Sequence, residues 1–370
     1  MSRRTVDGWD RLRDAEVSRR DALRAFAGGG LVLGGAKAAD NVLVGYGVLT
    51  GTNLVEQDLA AQVRARFGPS AYSTSIDGTR VGYADGRLSL RADDRVEWLP
   101  VAPRSIERAA ALDAEFGLDG RFAGLARDLV AVDAGEHRFE FASVDEFGER
   151  VSAAAEAGRT RPATVGALRG ARFESADPAL VREFADVDPA DPLALVSGLK
   201  TGFREHSNYD FRRYAAGSVE DNVLFGAGDL RAPFRSPTSL RAILDGRNAG
   251  LFCYDFTYRS VEGFHAVSAR EQTVPVMGAV VTDARHKHVY TGLATVVREG
   301  AYGGDGGAGG GGSGGERAGG DLVVPMTFLD YMHSTQYDDL HLRGVLGEGV
   351  NAYDRRHRTD DVYWNRYSAW

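Results

Sequence analysis

An internal repeat constrains the fold of this chain more than any other feature of its sequence. Two stretches align at a constant offset of 115 residues, with apolar, small and aromatic positions in the same order. The matched residues are Leu125, Leu129, Ala134, Gly135, Phe139, Glu140 and Phe141 in the first stretch and Leu240, Leu244, Ala249, Gly250, Tyr254, Asp255 and Phe256 in the second. In each copy the pattern predicts a helix ending on Leu-x-x-x-Leu, a short turn and a strand with alternating aromatic residues.

The similarity continues beyond these positions. Ser143 and Ser260 each precede an acidic residue within the next three positions, which predicts the N-cap and first turn of a second helix. Gly166-Ala167-Leu168 and Gly278-Ala279-Val280 then predict one further strand in each copy.

A second, shorter repeat marks the start of each half. The sequence Asp-Asn-Val-Leu begins at Asp40 and again at Asp221, and each occurrence predicts an opening strand. Two β-α-β-β-α-β halves, at 39–195 and 196–370, predict an α+β fold with antiparallel sheets and helices packed on their outer faces.

Two segments interrupt the predicted halves. Residues 72–100 predict hairpins, because Asp77-Gly78 and Asp85-Gly86 are tight-turn sequences. Residues 300–320 contain thirteen glycines and predict a flexible loop within the second half.

The first 38 residues predict a twin-arginine export signal. Arg19-Arg20 precedes a Gly-rich apolar stretch over 25–36, and Ala36-Lys37-Ala38 has the small-x-small pattern of a cleavage site. We therefore expect export, with the twin-arginine translocase as a partner. The alternative is a buried Gly-rich helix of a cytoplasmic protein.

Composition excludes several classes of function. The net charge of −8 argues against a nucleic-acid partner, because no basic excess is present to neutralise phosphates. The single cysteine, Cys253, excludes intrachain disulfides and cysteine-held iron–sulfur clusters. Between Phe252 and Tyr254 it is expected to be a core residue rather than a thiolate ligand. No apolar run is long enough for a polytopic membrane protein.

Two β-like segments flank the Gly-rich loop. Residues 286–297 and 321–332 predict a hairpin whose tip is the loop. With Arg298 near Leu322, the antiparallel register places the start of the first strand opposite residues 332 and 333.

That register predicts a cluster of metal-binding side chains. His286 and His288 are two residues apart and share one face of their strand, and Met332, His333 and Asp330 lie opposite or close by. Imidazole and carboxylate groups suit zinc, iron or copper. The alternative is a solvated strand end with no ligand.

The second half carries a longer constellation. The segment Asn222–Asp229, which includes Gly226, is followed by His286 and His288 and then by Arg298. This order resembles the dye-decolorizing (Dyp-type) haem peroxidases, which include deferrochelatase-like enzymes and whose signature is Gly-x-x-Asp-Gly, a proximal histidine and an arginine.

The resemblance implies a fold, a cofactor and a location. Dyp-type enzymes have two ferredoxin-like halves of the dimeric α/β-barrel type, hold haem b in the second half, and in several cases carry twin-arginine signals. An exported peroxidase would use hydrogen peroxide and a small reducing substrate. Its assembly into a homo-oligomer is left open.

The resemblance also implies a role for each site residue. His286 or His288 would bind the iron, Asp229 would move a proton between the peroxide oxygens, and Arg298 would stabilise the charge that develops as the O–O bond breaks. Leu230 stands where the family has its second glycine. Two alternatives remain: a haem-free member of the same fold that acts as a binding or structural protein, and a non-haem metal protein that uses His286, His288 and His333.

Overall fold

The computed structural model describes residues 59–364 with several gaps. The gaps are 93, 170–175, 211, 214–215, 217–229, 231, 235–237, 247–249, 284–287, 300–319 and 338–360. The predicted export signal, both Asp-Asn-Val-Leu segments and the Gly-rich loop up to residue 319 therefore lie outside the described residues. Within those residues, no helix is long and apolar enough to span a membrane.

Helices and strands are interspersed along the chain. The helices are α1 (Leu59–Arg64), α2 (Ile106–Glu115), α3 (Arg121–Asp133), α4 (Val144–Glu156), α5 (Pro162–Arg169), α6 (Pro178–Ala185), α7 (Pro192–His206), α8 (Leu240–Leu244), α9 (Cys253–Phe264) and α10 (Tyr331–Tyr337). The strands are β1 (Tyr72–Ile76), β2 (Thr79–Ala84), β3 (Arg87–Ala92), β4 (Arg95–Pro100), β5 (His137–Phe141), β6 (Asn208–Tyr209), β7 (Gly250–Leu251), β8 (Met277–Asp283), β9 (His288–Ala294), β10 (Val297–Glu299), β11 (Asp321–Leu329) and β12 (Asp361–Tyr363).

The segment 72–100 forms a four-stranded antiparallel meander in the order β1-β2-β3-β4. Asp77 and Gly78 both have positive φ, as do Asp85 and Gly86, which is the backbone that two-residue hairpin turns require. One face of this sheet packs on α2 and α3. The predicted hairpins are confirmed.

A second, larger sheet has the order β5-β11-β9-β8-β12. β10 pairs with the same edge of β11 as β9 does, nearer the start of β11. β5 runs parallel to β11, and the other neighbours are antiparallel. Trp364, just after β12, stacks on Phe139 of β5 with ring centroids 6.2 Å apart. Since these strands are at opposite ends of the order, the sheet must curl.

Helices cover both faces of the curled sheet. α1, α3 and α5 bury the face that carries Tyr290 and Met326, whereas α7, α9 and α10 bury the face that carries Val280, Val289 and Leu293. The fold is therefore α+β with antiparallel sheets, as the sequence predicts at this coarser level, but the helices cover both faces of the larger sheet rather than the outer face alone.

The repeat at offset 115 matches local structure in only one copy. Ser143 caps α4, as predicted: its hydroxyl oxygen accepts the Glu146 N–H, and the Glu146 carboxylate accepts the Ser143 N–H. Ser260, however, lies inside α9, and residues 254–256 belong to its first turn rather than to a strand. The Asp255 carboxylate accepts the Phe252 N–H at 2.9 Å, which starts the helix early.

Another predicted strand is also helical. Residues 166–168 lie in α5, which begins at Pro162, a residue whose fixed φ suits the first turn of a helix. The equivalent segment 278–280 lies in β8, as predicted.

The two predicted halves share the larger sheet. The boundary at 195/196 falls within α7, and β5 from 39–195 pairs with β11 from 196–370. The two parts are joined by backbone hydrogen bonds as well as by packing.

Candidate functional site

The predicted hairpin register is confirmed. Arg298 pairs with Leu322, and the same register continues to Thr291 opposite Leu329. β11 ends at Leu329 rather than at 332, and α10 begins two residues later. The backbone of His288, the first residue of β9, therefore lies at the end of the sheet where β11 passes into α10, the helix that contains His333.

Helix α9 brings a further residue to this end of the sheet. The Thr257 hydroxyl lies 2.8 Å from the Cys253 carbonyl oxygen and 3.1 Å from the Val289 carbonyl oxygen, and the Ser260 and Thr291 hydroxyls are 2.6 Å apart. Because α9 and β9 advance in the same direction, Cys253 lies one turn before Thr257, near the start of β9. We call the start of β9, the end of β11 and the first turns of α9 and α10 the hairpin end.

Two buried side chains at the hairpin end carry polar atoms. Cys253 is buried, as expected for a core cysteine, and Asp330 is only 2 % exposed. Among the side chains that the structure describes, no group of His, Cys, Asp or Glu could hold a metal ion. His286 lies outside the described residues, and only the backbones of His288 and His333 are described, so that statement does not cover the proposed ligands. Gly226 and Asp229 also lie outside the described residues.

Arg298 lies far from the hairpin end. It is on β10, ten positions beyond His288 along one interrupted strand, which corresponds to about 30 Å. Its Nε donates to Asp128 Oδ1 at 2.8 Å and its Nη1 to the Gly320 carbonyl oxygen at 2.6 Å. The structure thus does not bring Arg298 and His288 into one site.

Asp128 is the centre of a buried ion network that the sequence analysis missed. Its carboxylate is fully buried and also accepts from Arg161 Nε at 2.6 Å and from the Thr164 hydroxyl. The network ties α3, α5 and β10 together. The available signal was an acidic residue between Leu125 and Leu129 on the apolar stripe of a helix, a position that requires a buried partner.

A second buried polar group lies at the other end of α9. His265 Nε2 accepts the Gly278 N–H at 2.8 Å, and the Arg169 Nη atoms donate to the carbonyl oxygens of Val267 and Phe264. Arg169 thereby places its positive charge at the C-terminus of α9, where the helix dipole favours a cation. Burial lowers the pKa of Arg169 to about 9. Burial, and then the charge of Arg169, lowers the pKa of His265 well below its usual value.

This histidine makes the fold sensitive to acid. An unfolded chain has a histidine pKa of about 6.5, so below that pH it binds a proton that folded His265 does not. The stabilising contribution is complete above pH 6.5 and falls as the pH falls below it. Between pH 7.5 and 5.5 we expect His265 alone to lower the free energy of unfolding by about 1 kcal/mol.

Urea unfolding at the two pH values checks this expectation. His265→Gln keeps an acceptor for the Gly278 N–H but does not titrate, so the loss in the free energy of unfolding between the two pH values should shrink by about 1 kcal/mol. His206→Gln, at the end of α7, is the matched control. An unchanged loss in His265→Gln would contradict the assignment.

No protein-family model, curated protein or solved structure matches the chain. Its function is therefore inferred from the contacts described above.

Proposed function

We propose that the chain is an exported haem b protein of the Dyp type, with two ferredoxin-like halves and with the iron held at the hairpin end by His286 or His288. The observation that carries the proposal is the register, which places β9 at His288 beside the transition from β11 to α10. The order helix–strand–helix in α3-β5-α4 and again in α8-β7-α9 supports the duplicated architecture.

The hairpin end has side chains that suit a haem. Val289, Leu329 and Met332 are buried there, and an apolar wall with an imidazole ligand is the usual environment of a haem iron. The bound haem would supply one-electron redox chemistry with hydrogen peroxide and a small reducing substrate. Asp229 would hold and move the proton.

Arg298 has no part in this proposal. Its guanidinium is held by Asp128 at the other end of the strand, so the developing negative charge would lack the cation that the resemblance implies. We therefore propose slow turnover with peroxide, supported by Asp229 alone.

One observation favours a second candidate, a haem-free member of the fold that acts as a binding or structural protein. At Gly278 helix α9 packs directly on β8, because an added Cβ would lie 3.1 Å from the Val261 side chain, so the helix and the strand leave no gap at that point. In that candidate, His286, His288 and His333 either remain unliganded or hold a non-haem metal.

An absorption spectrum of the full chain, purified after expression with added haem, tests the proposal. We expect a Soret band that is lost in the double variant His286→Ala/His288→Ala and kept in His206→Gln. A Soret band that survives in the double variant, or no Soret band in the parent protein, contradicts haem ligation at the hairpin. Metal analysis of the same proteins then identifies the non-haem alternative by a stoichiometric metal that the double variant loses.

A further inference from the structure

The outer face of the four-stranded sheet carries an exposed aromatic side chain next to short polar residues. Trp98 on β4 is opposite Ser89, which is opposite Gly82, which is opposite Ser73, so this row crosses all four strands on one face. Trp98 is 51 % exposed and Val96, two residues earlier on the same face, is 39 % exposed. Exposed large apolar side chains of this kind mark binding surfaces when they are grouped.

Three arginines surround this row. Arg80 and Arg91 are directly opposite each other on β2 and β3, and Arg87 precedes Ser89 by two residues on the same face. Like charges at directly opposed positions destabilise a sheet. Among the described residues, the only hydrogen bond of these guanidiniums is from Arg80 Nε to the Ser73 hydroxyl at 2.8 Å.

Two of the acidic residues nearby are used on the other face. Glu97 on β4 pairs with Arg95 and Arg108, and Glu115 of α2 pairs with Arg95. Arg87 and Arg91 have no carboxylate partner among the described residues. In a chain whose net charge is −8, this face is a local cationic surface.

The row of short side chains includes a glycine, Gly82, between Ser89 and Ser73. At Gly82 an added Cβ would lie 2.7 Å from the Ser89 hydroxyl oxygen, so only glycine fits beside that side chain without a shift. The face therefore combines an indole ring, two serine hydroxyls and paired guanidiniums. We call Trp98, Ser89, Gly82, Ser73 and the three arginines the Trp98 face.

We propose that the Trp98 face binds an acidic polysaccharide. The apolar side of a sugar ring would stack on the Trp98 indole, its hydroxyl groups would bond to the serines, and its carboxylates would bind the guanidiniums of Arg80, Arg91 and Arg87. A single-stranded nucleic acid fits less well, because it requires successive stacking rings along a basic groove, whereas the Trp98 face presents one indole ring among its described residues.

Binding of the full chain to polygalacturonate, with neutral dextran of similar length and a single-stranded oligonucleotide as comparison ligands, tests the proposal. We expect polygalacturonate to bind and dextran not to bind, with affinity that falls as salt is added. Trp98→Ala and the double variant Arg80→Gln/Arg91→Gln should each weaken binding at least tenfold. Arg108→Gln, an exposed arginine on the same unit that lies outside the face, should bind as the parent does.

Stability measurements separate a binding role from a structural one. Arg91→Glu replaces a like-charge pair with an opposite-charge pair, so its urea midpoint should be unchanged or higher while polygalacturonate binding is lost. A lower midpoint would indicate a structural role and overturn the proposal. Equal binding to dextran, tighter binding to the oligonucleotide, or dimerisation through Trp98 without polysaccharide binding would also overturn it.

Discussion

Replacing Asp128 with alanine is expected to lower the free energy of unfolding by about 3–5 kcal/mol. The carboxylate is fully buried, and the side chains of Arg161 and Arg298 that it binds are only 15 % and 11 % exposed. Removing it takes away the carboxylate that both largely buried guanidiniums bind. A decrease of this size is expected when one member of a buried ion network is removed and its partners remain. Urea unfolding at pH 7.5 measures the decrease.

A surface ion pair provides the matched control. Glu183 and Arg241 are about half exposed and pair at 3.1 Å, so Glu183→Gln should change the free energy of unfolding by less than about 1 kcal/mol. Arg298→Leu should cost less than Asp128→Ala, because the carboxylate keeps Arg161 and Thr164. Equal effects of Asp128→Ala and Glu183→Gln would show that the network does not stabilise the fold.

This network explains why the predicted role of Arg298 did not follow from its place in the sequence. The order of Asp229, His288 and Arg298 contains no information on which strand end each occupies. His288 is the first residue of β9, and Arg298 is in β10, which continues β9 after a short interruption. A strand of that total length separates its ends by about 30 Å. The pairing with β11, which places Arg298 opposite Leu322, shows the separation, and the register expected from the sequence already contained it.

Local signals and strand register were the features that sequence could predict. Asp77-Gly78 and Asp85-Gly86 form turns because their backbone preference is set by the residues themselves. Short apolar segments such as 254–256 are ambiguous between helix and strand. In α9 the buried residues Cys253, Phe256, Val261 and Phe264 recur with helical spacing, a signal that a longer window would have favoured over aromatic alternation.

The buried polar contacts of the candidate residue Arg298 and of its neighbours were not predicted by the sequence analysis. Asp128 and Arg161 are 33 residues apart, and Asp128 and Arg298 are 170 apart. Pairings of this kind depend on which helix packs on which strand. The same is true of Arg169 at the C-terminus of α9, which meets Phe264 only because α5 and α9 pack against the same sheet.

Substituting alanine for Gly202 is expected to destabilise the protein by about 3 kcal/mol, near the upper end of the usual cost of overpacking. Gly202 lies in α7 against α6, where an added Cβ would overlap the Phe184 carbonyl oxygen and lie 2.8 Å from Cε1 of the Phe184 ring. The carbonyl belongs to the backbone, so the two helices would have to move apart. Gly148→Ala in α4 is the matched control, since nothing lies within 4 Å of the added methyl group, and alanine should stabilise that helix by about 0.5–1 kcal/mol. If urea unfolding shows that alanine lowers the stability at position 202 and raises it at position 148, close contact between α6 and α7, rather than helix propensity, sets the requirement for glycine at 202. A gain in stability at both positions would refute that packing.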